Sequence, residues 1–176
     1  MVEQPLLQKE PSSLGSWALV AAQAIDSYGL DSQQIFSEAG VDLTDLKKPN
    51  ARLPTSAMVR VWQLAIELSQ DPYIALRVAK YFNPTAFSAL GMALATSQHI
   101  YDALQRATRY SRVISDCSCT SLTENDQEVA LKVELKYAKQ AQRYFPGVEA
   151  IFTSMFNLLR TMAGESFNAK AVYFKH

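Results

Sequence analysis

Residues 84–114, PTAFSALGMALATSQHIYDALQRATRYSRVI, decide how this chain is read. Phe87, Leu90, Gly91 and Leu94 recur at helical spacing. After a tight break, Ile100, Ala103, Leu104, Ala107 and Ile114 open a second apolar face. The stretch predicts two consecutive helices. Gly91 sits inside the first stripe, where a missing side chain lets another element approach closely.

Outward toward the N-terminus, the pattern stays helical. A helix is expected from about Ser16 to Ser27, and Asp31 is placed to cap a short second one that Gly40 stops. Residues 1–15 read as a flexible arm, because Pro5, Pro11 and Ser12-Ser13 stand among polar neighbours. Leu43 to Pro54 reads as an irregular connection. Thr55 is then expected to cap a largely buried helix reaching Ser69, whose polar stripe is little more than Arg60, Gln63 and Glu67. Asp71-Pro72 restarts a helix that ends near Phe82-Asn83-Pro84.

Toward the C-terminus the period changes. Val129, Leu131, Val133 and Leu135 alternate with Ala130, Lys132, Glu134 and Lys136, the signature of a half-buried strand. With the Ser/Thr/Cys-rich stretch before it and the turn Glu124-Asn125-Asp126, residues 115–136 predict a β-hairpin. Val148, Ile151, Phe152, Met155, Leu158, Leu159 and Met162 then mark a long helix over 146–163. Ala169 to His176 is expected to form a third strand. The fold class expected is α+β: four or five helices, then a small antiparallel sheet carrying the long helix. A strand at the extreme terminus leaves an unpaired edge, so residues 16–176 are expected to be a domain of a longer, C-terminally truncated polypeptide.

The chain has 176 residues, enough for one domain with a sizeable core, and 48% of them are hydrophobic. Seventeen basic and seventeen acidic residues cancel, which argues against binding of nucleic acid by this chain itself. Two cysteines make no disulfide framework, no secretory signal opens the chain, and the apolar run from Trp17 to Ile25 is too short to span a bilayer. The expectation is a cytoplasmic chain with no membrane partner.

The order and spacing of several pieces resemble the N-terminal effector-binding (arabinose-binding-like) domain of AraC-family bacterial transcription regulators. The pieces are Arg-Leu-Pro-Thr at 52–55, Asp-Pro-Tyr-Ile-Ala-Leu-Arg-Val-Ala at 71–79, the Ala-Leu-Gly to Arg-Tyr block at 89–110, the hairpin, and Val-Tyr-Phe-Lys-His at 172–176. The likeness runs from about Ser16 to His176. It implies a domain that senses a small effector or mediates dimerisation, with a DNA-binding helix-turn-helix module elsewhere in the intact protein. The alternative it leaves open is a stand-alone small-molecule or haem-binding sensor.

Residue chemistry adds candidates and exclusions. Paired carboxylates, a Ser-His-Asp set, a phosphate loop and a zinc-spaced ligand group are all missing from the sequence, so no catalysis, metal or cofactor is expected. Cys117 and Cys119 lie two apart on an expected strand and read as small buried hydrophobes rather than ligands. His99 reads as a surface or cap residue, with a haem role suggested only by the family likeness. Arg106, Arg109 and Arg112 share one side of their helix with Asp102. They read either as a lure for an anionic effector or, more simply, as a solvated face with an Asp102–Arg106 pair. Tyr101 and Tyr110 flank the apolar stripe on opposite sides, where a hydroxyl can point into a cavity. With Trp62 and Cys119 they are the expected effector contacts.

Overall fold

The computed structural model describes residues 10–136, 145–164 and 167–174. Strand β1 (Ser12–Leu14) leads into α1 (Gly15–Asp26), α2 (Ser32–Glu38) and the single turn α3 (Leu43–Leu46). Strand β2 (Arg52–Pro54) runs antiparallel to β1 and feeds α4 (Thr55–Ser69). A 3-10 turn at Ile74–Arg77 continues into α5 (Val78–Tyr81), and another at Pro84–Phe87 precedes α6 (Ser88–Ala95). Helix α7 (Ile100–Ile114), the hairpin β3 (Ser118–Glu124) and β4 (Val129–Leu135), and the long α8 (Phe145–Ala163) complete the order. Helices dominate, with two small antiparallel sheets: an α+β fold.

Local chemistry explains most helix ends. The Asp31 side chain accepts from the Gln34 amide, as its position predicts. At the far end of α2, Gly40 takes φ +78°, which lets its own amide reach Ser37 O and the Val41 amide reach Phe36 O. Helix α4 begins differently. Thr55, expected to cap it, is instead its first residue, and its buried hydroxyl has no partner. The Thr55 amide donates to Pro11 O at 2.8 Å and the Ser56 amide to the Glu10 carboxylate at 3.1 Å. Two orphan amides are thus satisfied by chain more than forty residues away, which no local signal reveals.

The core is a set of helix faces. Trp17, Phe82 and Phe87 form an aromatic cluster with centroids 4.8–6.1 Å apart, and Trp62, Phe36, Ile25 and Val61 are almost fully enclosed. The main neighbours of α8 are the Ile74–Tyr81 segment and α4, with α7 beside it. Met155, Leu158 and Leu159 are buried there, and Asn157 donates from its exposed side to Ala79 O at 3.0 Å.

The two sheets meet at one point. Ser13 bridges to Ser115, the Ser12 amide donates to the Asp116 carboxylate at 2.6 Å, and the Asp116 amide returns a bond to Ser12 O at 3.1 Å. Arg52 closes this junction, donating to the Ser12 hydroxyl, to Ser12 O and to Val113 O at 2.8–3.1 Å.

Several expectations are corrected. Residues 1–9 lie outside the described residues, but Ser12–Leu14 form a buried strand, not an arm. The stretch read as irregular, Leu43 to Pro54, holds α3 and β2. The helix expected after Asp71-Pro72 is a 3-10 turn followed by a single α turn. No strand forms over 167–174: Tyr173 is 88% exposed, and the segment is tied down by side chains, Lys170 to Glu128 and Phe174 edge-on to Phe152. Apolar alternation makes a strand only where it joins a ladder, and this segment joins neither sheet among the described residues. His176 is outside them.

Candidate functional site

Helix α7 has the strongest amphipathic pattern in the fold, burying Ala103, Leu104, Ala107 and Ile114. Its two flanks are polar and each borders a depression. On one side, α6 contributes Leu90 and Ala93 to a groove of about 420 Å³, facing Asp102, Gln105, Arg106, Arg109 and Tyr110. On the other, β3 forms the wall of a groove of about 650 Å³ that faces Tyr101, Gln105, Thr108 and Arg109. Gln105 and Arg109 border both.

Gly91 sets how α6 sits on the turn that precedes it. A β-carbon there would lie 1.7 Å from Pro84 O, so only glycine lets α6 fold back against the Pro84–Phe87 turn. The close approach expected from the sequence is real. Ser88, at the start of α6, takes φ +55° to make the same tight break.

The arginines separate by role. Arg106 does not pair with Asp102 as expected. It reaches across to α6, donating to Ala93 O at 2.8 Å and Ser97 Oγ at 3.0 Å, because two acceptors at the open end of that helix lie within reach. Arg109 lies over the ring of Tyr110, 5.5 Å from its centroid, and has no carboxylate partner among the described residues. Two other basic residues, Arg77 and Lys80, stand over Tyr28 and Tyr81. At the opposite end of the β3 groove, the Tyr101 phenol lies within reach of the Glu124 carboxylate. That acceptor, with burial adding to it, raises the Tyr101 pKa above the usual phenol value.

The four residues expected to contact an effector part company. Tyr101 borders the β3 groove and Tyr110 the α6 groove, on opposite flanks of α7. Trp62 is 1% exposed in the middle of the core, its indole N–H without a partner, and it borders neither groove. Cys119 is exposed on β3, opposite Glu134, and borders neither. Cys117 lies one residue before the strand begins and is buried, with its sulfur 2.9 Å from Ser115 Oγ. His99 is exposed at the cap position of α7, its carbonyl accepting from Ala103. Gln105, Thr108 and the Thr120–Glu124 wall were not singled out from sequence. The signal for the first two was present, since residues 101, 105, 108 and 109 fall on one helical flank. Among the described residues, no three His, Cys, Asp or Glu side chains converge as a metal site would require.

Residues 29–176 match the family described as "Arabinose-binding domain of AraC transcription regulator, N-term". The chain is also 24% identical over 161 residues to the ornithine utilization regulator of Pseudomonas aeruginosa, covering 92% of this chain and 47% of that protein. It therefore spans about half the length of that curated relative. The family resemblance read from the 52–55, 71–79 and 89–110 motifs holds across most of the sequence: the chain belongs to the N-terminal arabinose-binding-domain family of AraC-type transcription regulators.

Proposed function

We propose that this chain is the effector-sensing and oligomerisation part of an AraC-type regulator that performs no catalysis itself and acts on DNA through a separate helix-turn-helix module. The observation that carries the reading is the family match over 29–176, joined to the two grooves on either flank of α7. A small molecule in either groove would touch α7 and one neighbour, α6 or β3. It would favour whichever spacing of those elements it fits, and that differential contact is what a ligand needs to shift a conformational equilibrium. The far end of α7 abuts the Ser12–Arg52–Asp116 junction, so a shift in the helix reaches the N-terminal sheet through direct hydrogen bonds. The zero net charge supports leaving DNA contact to another module, and a cytoplasmic location goes with that role.

The relative's name refers to ornithine utilization, which makes amino acids and their breakdown products the first effectors to test. The experiment is a thermal-shift screen of the intact protein against a metabolite library, followed by operator binding with and without each hit. A ligand at a hundred times its Kd should stabilise the native state by about 2.7 kcal/mol. A library with no stabilising compound, or hits that leave operator binding unchanged, would overturn the reading. Sedimentation of the same protein with and without the hit tests oligomerisation.

A further inference from the structure

The groove between α7 and β3 carries opposite charges toward its two ends. Tyr101 to Arg109 is about 12 Å along the helix axis, and Thr120 to Glu124 spans about 13 Å of strand. Tyr101 lies by Glu124, so the two walls run antiparallel and match in length. A carboxylate stands at one end, with the phenol beside it. Toward the other end is Arg109, which borders both grooves; its guanidinium lies over the Tyr110 ring and has no carboxylate partner among the described residues. Between them lie the Gln105 amide and the hydroxyl of Thr108.

The strand adds main-chain groups. The Asn125 amide bonds to Glu128 O, and the Lys136 amide to Cys117 O, each at 3.0 Å. These mark hydrogen-bonded pairs at both ends of the hairpin. Alternation along the ladder then turns the N–H and C=O groups of Thr120, Leu122 and Glu124 away from β4.

We infer that the α7–β3 groove binds an elongated zwitterion, a small ω-amino acid or dibasic amino acid, with its carboxylate on Arg109 and its ammonium at Glu124. The inference rests on the sensing role proposed above and specifies its ligand class. A single charge would satisfy one end and leave the other facing water. A neutral sugar would gain neither charge-assisted contact. An aliphatic spacer between the two charges lies along Leu122 and the ring of Tyr101.

The test is calorimetric titration of the intact protein with δ-aminovalerate, L-ornithine, valerate, putrescine and L-arabinose at one ionic strength. The two zwitterionic probes are expected to bind at least tenfold more tightly than valerate or putrescine. Arg109→Ala and Glu124→Gln, both at exposed positions, should each bring δ-aminovalerate down to the affinity of a singly charged analogue, with the circular dichroism spectrum unchanged. Equal binding of valerate and δ-aminovalerate, no binding of either zwitterion, or full affinity in both variants overturns the inference. If arabinose or another neutral metabolite binds and shifts operator affinity while the zwitterions do not, this inference falls and the sensing role stands. If no metabolite binds at all, both fall.

Discussion

The carbonyl oxygen of Pro84 occupies the space that a β-carbon on residue 91 would need, and a backbone atom cannot swing aside as a side chain can. Gly91→Ala should therefore destabilise the fold by about 3 kcal/mol, read as a lowered denaturant midpoint at unchanged slope. An alanine tolerated there would mean that α6 does not turn back as described. A second residue-scale prediction concerns Tyr28, whose hydroxyl donates to the Asp71 carboxylate at 2.6 Å under the guanidinium of Arg77. Hydrogen bonds from Tyr28 and from the Tyr73 amide hold the Asp71 pKa below the usual carboxylate value, and the Asp71 acceptor raises that of Tyr28. A depressed carboxylate contributes stability that is present above its unfolded pKa and lost as pH falls through the folded one. A raised phenol contributes stability that is present below its unfolded pKa and lost as pH rises through the folded one. The melting-temperature gap between wild type and Tyr28→Phe should thus be widest at intermediate pH and close toward both extremes. A gap independent of pH would remove this link. The Gly91 approach was legible from one missing side chain in an apolar stripe. The Tyr28–Asp71 bond was not, because the partners are 43 residues apart and nothing local marks either as half of a pair.

Among the elements, the weakest-looking ones hold the fold's junction. Strands β1 and β2 are three residues each, too short to persist alone. They survive because Arg52 joins them to the end of α7 and to the root of the hairpin. Arg52→Ala should cost about 2 kcal/mol, the range for hydrogen bonds to a charged group. It should also speed amide exchange in Ser12–Leu14 and the last turn of α7, with α8 unaffected. Uniform acceleration throughout the chain would contradict a local latch. The long elements were readable in advance for a simple reason. Helices α4, α7 and α8 each present a repeated apolar stripe, and β4 alternates cleanly over seven residues, its Ala130, Lys132, Glu134 and Lys136 facing solvent. Three residues carry no period, so β1 and β2 were invisible. The segment near 172–174 shows the opposite failure, a suitable alternation that joins neither sheet among the described residues.

For the molecule as a whole, balanced charge leads to one further expectation: this chain by itself will not retard operator DNA at physiological salt. Sequence-specific retardation in a gel assay would contradict the division of labour proposed here. No helix among the described residues is long and apolar enough to cross a membrane. Apolar periodicity by itself determined the α+β class, the strong helices and the hairpin, because each is written in local spacing; the family was legible only as a resemblance in the order of short motifs, which the match over 29–176 bears out. The candidate site was legible only in outline. Tyr101 and Tyr110 were placed on opposite flanks of α7 by helical geometry alone, whereas the depth of Trp62 and the exposure of Cys119 were not legible, because side-chain chemistry does not reveal depth. Tertiary structure alone decided that Trp62 is sealed in the core, that Arg106 is used up on α6 while Arg109 stays available, and that Glu124 stands at the far end of the same groove. Those outcomes depend on which distant surface arrives beside each side chain, and that is a property of packing, which spacing along the chain does not encode.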